Sequence, residues 1–574
     1  MKLLSLNLGL LASIGAQICT AAEADNSSYY NPVLPGWHSD PSCTRVDDTF
    51  YCVTSTFISF PGLPIYASKD LINWRLISHA WNRGAQLPGV SWDTDEQQQG
   101  MYAATIRHRD GEFFVICEYL GVPGGIIGVV FRTTDPFSDE SWSDPVRFAT
   151  DRIDPDLFWD DDGKVYVATQ GILLQEFDLE TGQLSQPPVS IWNGTGGVWP
   201  EGAHIYKRDG WYYVMIAEGG TATDHAITIA RAKDIWGPYD PYENNPILTN
   251  RGTDQYFQTV GHGDLFTDTY GNWWGLCLAT RSGPEYKHYP MGREAVLFPA
   301  TWQEGEWPIL QPVRGEMSGW PLPIETRDVP GDGPFNDDAD AYEFNADSAI
   351  PKHFVYWRVP REGSFSTTDA GLEIVPSRNN LTGIPFSKTH IELSGQRGLS
   401  FIGRRQTHTL FHFSVDVLFS PEEVGQEAGV TVFLTQLNHI DIGLVLLDSG
   451  LSLRFRATGT NEDETPEPKI VPVPEDWTDA PVRLHIHAEN SETYRLAVSQ
   501  GCKKPITIAT ASSALVSGGS GSFVGSLLGA YATCNGAGSG VQCPDGGVPT
   551  FQRWRYRPIA QFIAEDEAVP AEDD

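Results

Sequence analysis

Apolar and polar positions repeat one pattern five times along the first three hundred residues. Each copy is a run of β-branched or aromatic residues, a short turn built on Asp, Asn or Gly, and a second apolar run. That pattern predicts a β-hairpin. The fullest copy is Arg152-Ile-Asp-Pro-Asp-Leu-Phe-Trp-Asp-Asp-Asp-Gly-Lys-Val-Tyr-Val167, and the others are centred on Asp48-Thr-Phe-Tyr-Cys-Val, Asp110-Gly-Glu-Phe-Phe-Val, Asp209-Gly-Trp-Tyr-Tyr-Val and Tyr270-Gly-Asn-Trp-Trp-Gly. The copies lie about 45–65 residues apart, a period that for strand-built units predicts a β-propeller with about four strands per blade. Some twenty residues beyond each hairpin, roughly, a second turn recurs. It reads Ser68-Lys-Asp-Leu-Ile-Asn-Trp74, Thr134-Asp-Pro136 with Trp142, Phe177-Asp-Leu-Glu-Thr-Gly-Gln183 and Ala232-Lys-Asp-Ile-Trp236, and the fifth copy is not evident.

The repeat ends near Pro323. The turn-rich, acidic segment Pro330-Gly-Asp-Gly-Pro-Phe-Asn-Asp-Asp-Ala-Asp340 reads as a linker. Beyond it, alternating strands over 408–419, 429–436, 440–447, 451–457, 482–488 and 551–556, with no sustained helical period, predict a β-sandwich. The fold class expected is therefore all-β, a five-bladed β-propeller followed by a C-terminal β-sandwich of concanavalin A-like or jelly-roll type. The expected division is 1–22 signal peptide, 23–328 propeller, 329–343 linker, 344–562 sandwich and 563–574 disordered acidic tail.

The strand before each hairpin turn should be the innermost of its blade and start near the central axis. Counting back from each hairpin to that point gives Asp40 in the first blade, Asp154 in the third, Glu201 in the fourth and His262 in the fifth, with only Ala103 and Ala104 in the second. An isolated Asp-Pro is usually just a turn. A shared slot in a repeat is different: it gathers three carboxyl groups on one axis, where they perturb each other's protonation. Asp160, Asp161 and Asp162 are turn residues and belong to no slot.

Charge and cysteines narrow the setting. Asp and Glu outnumber Lys and Arg by 74 to 39, a formal charge of −35, which disfavours nucleic acid and anionic membranes and suits a neutral or cationic partner. Residues 1–22 combine a short positive start with an apolar run too short to span a bilayer, as a secretory signal does. Secretion to the extracellular space is the expected localisation. Of eight cysteines, Cys19 falls in that segment; Cys43 with Cys52 and Cys534 with Cys543 are candidate disulfides, while Cys117, Cys277 and Cys502 are left over. Asn26, Asn193 and Asn380 head glycosylation triplets.

Asn31-Pro-Val-Leu-Pro-Gly-Trp-His-Ser-Asp40-Pro-Ser, Thr54-Ser-Thr-Phe57-Ile-Ser-Phe-Pro-Gly62, Ile153-Asp154-Pro, Pro200-Glu201-Gly-Ala-His-Ile-Tyr and Met291-Gly-Arg293-Glu together resemble glycoside hydrolase family 43, in particular its two-domain β-xylosidase/α-L-arabinofuranosidase members. The resemblance covers nearly the whole chain after the signal segment. It implies an inverting, exo-acting glycosidase on xylan- or arabinan-derived saccharides, with Asp40 as general base, Glu201 as general acid and Asp154 as the residue that orients the acid and tunes its pKa. It also implies Phe57 and Arg293 as substrate contacts, no cofactor in the chemistry, and His262 near a possible structural calcium. One departure is Met101-Tyr-Ala-Ala-Thr105, where many relatives carry Trp-Ala-Pro-Asp. An endo-arabinanase and a non-catalytic carbohydrate-binding propeller are the competing readings.

Overall fold

The computed structural model describes residues 27–571 apart from 91–93, 95–97, 186, 384–398, 461–464, 478–479 and 540–541. The signal segment, Cys19 and Asn26 lie outside the described residues. Strands and a few short 3-10 turns make up the regular structure among the described residues, and no helix there is long and apolar enough to cross a membrane.

Five antiparallel sheets form the propeller. Their innermost strands are Ser42–Val46, Thr105–Arg109, Asp156–Trp159, Glu201–Arg208 and Phe257–Thr267. Each of the five hairpin turns falls between the first and second strands of its blade. The fifth outer turn, missed in the sequence, lies between Glu294–Thr301 and Ile309–Leu310. Trp302 and Trp307 mark it, both packing edge-on to Tyr213 of the neighbouring blade. The Asp-Pro and Lys-Asp signatures of the other copies are absent from it, which is why it escaped notice.

The ring is closed by the chain's first described residues. Ser28–Tyr30 pairs with Glu316–Ser318, and the Asn31 side chain donates to the carbonyls of Leu297 (3.0 Å) and Arg314 (3.1 Å) while accepting from Leu297 N–H (2.9 Å). The expected linker is a packed strap. Arg75 donates to the carbonyls of Gly333 (2.8 Å) and Val329 (2.8 Å), and Leu76 N–H to that of Pro334 (3.1 Å).

A nine-stranded and a seven-stranded sheet form the sandwich. Five of the six expected strands appear with ends shifted by a few residues, and Val482–Ala488 has its expected bounds. Leu527–Thr533, not foreseen, runs fully buried through the middle of the smaller sheet. Its small residues hid it from an apolar-run search, yet they are required: a Cβ on Gly529 would lie 2.4 Å from the Ile402 carbonyl oxygen and 2.5 Å from the Phe401 ring. The acidic tail, expected to be disordered, instead adds Ala568–Pro570 to the edge of the long strand Thr550–Phe562. Three main-chain pairings fix it there, so local composition was overridden.

The two halves share a core. Trp37, Phe57 and Ile58 of the propeller belong to the same buried apolar cluster as the sandwich interior. A buried Arg281 bolts the interface: it pairs with Glu294 (2.6 Å) and donates to Gln561 Oε1 (2.6 Å) and the Phe562 carbonyl (3.1 Å). Both candidate disulfides form, Cys43 with Cys52 directly across a hairpin and Cys534 with Cys543 across a loop; Cys117 and Cys277 are buried thiols and Cys502 is exposed.

Candidate active site

The slot residues are set by an unusual backbone. Asp40, Asp154 and His262 have φ of 51°, 57° and 47°, the left-handed region that non-glycine residues rarely adopt. In the fourth blade the same swing comes from Gly202 (φ 59°), beside a bulge between Glu201 and His204. Three of the five blades thus hold a strained residue at the axis, just before the inner strand (Asp40, Asp154) or within it (His262), as expected where structure is over-determined around a functional site.

Asp40, Asp154 and Glu201 line one pocket of about 380 Å³. Asp40 is gripped on all sides. Ser55 Oγ donates to Oδ2 at 2.6 Å, Arg293 reaches Oδ1 at 3.1 Å and Oδ2 at 3.4 Å, and His262 Nδ1 lies 3.5 Å from Oδ1. Burial works against ionisation, but the charges of Arg293 and His262 and the Ser55 hydrogen bond outweigh it, so Asp40 sits below the usual carboxylate range. Glu201 differs. Burial raises it most, the Gln170 hydrogen bond (3.2 Å) opposes and the Asp40 charge adds, leaving it pushed up to about 7. Asp154 is held well above the usual range by burial first, then by Glu201, Glu118 and Asp40. Asp154 therefore keeps its own proton.

Phe57 is a pocket wall and a core residue at once. Its backbone pairs with Met101, which demands Gly100 next door: a Cβ there would lie 2.5 Å from the Phe57 carbonyl oxygen, at φ 101°. In the second blade, where the sequence departs from many relatives, Ala103 lines the pocket and Tyr102 packs edge-on to Phe57 at 5.1 Å. Arg293, expected as a substrate contact, lines the pocket, and each of its three nitrogens donates within the protein, to Asp40, Thr221 Oγ1 (3.0 Å) or the Phe523 carbonyl (3.2 and 3.3 Å). Its place is beside Asp40.

Several site residues escaped the sequence reading. Phe523, from the sandwich, stacks on Phe57 (5.9 Å) and covers part of the pocket, and Trp199 stands at its rim, 65% exposed. Glu118 is fully buried, with neither oxygen in a normal hydrogen bond, and is held well above the carboxylate range by burial first and by Asp40 and Glu201 after the opposing amides of Asp154 and Glu118. A charged residue inside the apolar strand Glu112–Val122 was the available signal.

Below the pocket each blade gives one polar side chain to the axis: Ser42, Arg107, Asp156, His204 and Asp264. Arg107 pairs with Asp156 (2.8 Å) and Asp264 (2.6 Å) and reaches His204 Nδ1 (3.0 Å), while Ser42 donates to Asp264 (2.7 Å). This bears on calcium, which takes roughly six to eight oxygen ligands. Near His262 the carboxylates already serve a guanidinium, and the orphaned buried atoms in that cluster are one carboxylate oxygen, Asp156 Oδ1, and one imidazole nitrogen, His204 Nε2. A single free carboxylate oxygen falls short of a calcium ligand set, so no step of the chemistry is routed through the ion.

Of the glycosylation candidates, Asn193 is exposed, whereas Asn380 is half-buried, with its amide donating to Asn535 Oδ1 (3.1 Å).

A propeller whose pocket gathers an ionised carboxylate, Asp40, with two carboxyl groups held protonated, Glu201 and Asp154, has the site of a glycosidase. Residues 29–308 match the model of glycosyl hydrolases family 43, and 341–544 match the β-xylosidase C-terminal concanavalin A-like domain. A non-reducing end α-L-arabinofuranosidase of Bacteroides ovatus is 36% identical over 75% of this chain and 78% of its own, and a xylosidase/arabinosidase of Butyrivibrio fibrisolvens is 32% identical over 89% and 97%. The solved structure of a Bacteroides ovatus family 43 protein from a xyloglucan locus superposes with TM-score 0.80 at 32% identity, covering 92% of this chain and 99% of that one. The chain belongs to glycosyl hydrolase family 43.

Proposed function

We propose that the protein is a secreted, exo-acting, inverting glycosidase that removes β-xylosyl or α-L-arabinofuranosyl residues from the non-reducing ends of plant-derived saccharides. The observation that carries this reading is the opposed protonation of Asp40 and Glu201 in one pocket. Asp40, held ionised by Arg293, His262 and Ser55, acts as general base and draws a proton from the attacking water. Glu201, protonated up to about 7, gives its proton to the departing oxygen. Asp154 stays neutral beside Glu201 and orients it. The two reacting groups begin strands of blades one and four, placements that favour facing across the axis with a water between, as single displacement needs. The names of the relatives support the substrate class. Two disulfides and the apolar start of the sequence support secretion. In a glycosylating host the secreted chain carries glycan at Asn193.

Phe523 over the pocket favours exo attack above the endo-arabinanase reading, which needs an open groove. A non-catalytic propeller has no use for carboxyl groups of opposite protonation. Proton NMR of a fresh β-xyloside digest tests the mechanism, with α-xylose expected first. β-Xylose appearing first, or a glycosyl-enzyme trapped on Asp40, overturns it. Glu201→Gln should lose roughly 10²–10⁴ in rate on poor leaving groups and far less on activated aryl glycosides; equal losses refute the assignment of the acid.

A further inference from the structure

The outer face of the larger sandwich sheet carries three histidines. His412 lies on Leu410–Leu418, and His485 and His487 lie on the neighbouring Val482–Ala488, with His412 paired directly across from His487. Strand alternation sends Phe411, Phe413, Leu484 and Ile486 into the core and the three imidazoles outward together. One nitrogen from each ring lies within 4.8 Å of the other two. His412 Nε2 and His485 Nδ1 are 3.1 Å apart, and the His412 and His487 rings stack at 3.8 Å.

Two features go beyond a stack of aromatic rings. His485 is buried (4% exposed), and its far nitrogen, Nε2, meets Ser499 Oγ at 2.8 Å. Donating that N–H to Ser499 leaves Nδ1 as a lone pair aimed at His412, the orientation that an outer hydrogen bond gives to metal-binding histidines. The other feature is His487 Nε2, buried without a hydrogen-bond partner. A buried nitrogen left unpaired is costly, and a metal ion would use its lone pair.

We propose that His412, His485 and His487 form a binding site for a late first-row divalent transition metal of the zinc class. All three donors are imidazole nitrogens, which suit zinc, copper and nickel and not the oxygen-seeking calcium or magnesium. Three histidines are a known zinc ligand set, with the fourth position left to water. Nearby Arg483, Arg495 and Arg557 repel any divalent cation, so the affinity must come from the three nitrogen donors.

Zinc should be titrated calorimetrically into the full-length, tag-free, chelator-stripped protein. One saturable equivalent is expected, with no response to calcium; no saturable zinc binding overturns the proposal. Cobalt(II) in the unmutated chain should give the visible bands of a nitrogen-ligated ion, a readout independent of any variant's folding, and the spectrum of the aquo ion alone overturns it. His412→Ala and His487→Ala should each abolish binding while glycoside hydrolysis is unchanged, and binding that survives both overturns the site. Ser499→Ala should weaken zinc by about 10–100-fold; unchanged affinity refutes its orienting hydrogen bond.

Discussion

Replacing Glu201 by Gln should make the protein more stable at alkaline pH and leave its stability nearly unchanged in acid. Gln has the shape of the protonated acid but cannot ionise. In the folded protein Glu201 holds its proton up to about 7, against an ordinary 4.5. A raised carboxyl pKa contributes stability that is fully present below the unfolded value and is lost as pH rises through the folded one. At about 1.4 kcal/mol per pH unit, the interval amounts to roughly 3 kcal/mol. Above pH 7 the unmodified protein bears that cost by ionising Glu201 in the pocket; Glu201→Gln does not. Thermal unfolding of both proteins at several pH values from about 4 to 8 tests this, with the gap in midpoint opening between the two pKa values. A gap that is constant with pH, or that favours the unmodified protein in alkali, would refute the account of Glu201 as a desolvated acid.

Hydrolysis should fall as pH rises through about 7, where Glu201 loses its proton, and the acid limb should lie below the usual carboxylate range because Asp40 is lowered; a pH profile of kcat/KM checks both. Asp154→Asn should leave that alkaline limb in place while reducing kcat, since Asp154 is already neutral there; a limb falling toward 4.5 would show that its charge had been raising Glu201. Arg293→Met strands a buried carboxylate, which should cost about 3–5 kcal/mol in stability and move the acid limb upward, as thermal unfolding and the pH profile would show. Phe523→Ala should raise KM more than it lowers kcat, because Phe523 walls the pocket without touching the carboxyl groups' protons; kinetics on a xylo-oligosaccharide check this.

What the sequence disclosed follows from repetition. The slots of Asp40, Asp154, Glu201 and His262 were legible because five hairpins supply a common ruler. The same ruler reaches further. Ser42, Asp156 and Asp264 each stand two residues beyond a slot, where strand alternation returns a side chain to the axis. His204 stands three beyond, because the bulge after Glu201 inserts a residue. Phe523 was illegible for another reason. It follows a Gly- and Ser-rich segment of the other domain, and only tertiary packing brings it over Phe57. The His485-x-His487 alternation is visible in the sequence, but its meeting with His412 depends on a strand register that no local pattern reveals.

The clasp that closes the propeller also orders its assembly in time. Asn31 and its partner Leu297 are 266 positions apart, so the opening segment leaves the ribosome long before the last blade exists to receive it. Contacts this distant must overcome the entropy of a large loop before they return anything. Until then the first blade has one flank uncovered, and the peptide groups of Ser28–Tyr30 lack the pairing that Glu316–Ser318 will provide. The nascent protein is therefore an open arc of blades, exposed to wrong strand partners, through most of its synthesis. Ring closure is a late event, and trimming the first few ordered residues would leave it to the direct contacts between blades one and five, such as Ser42 with Asp264 and Phe50 with Phe266.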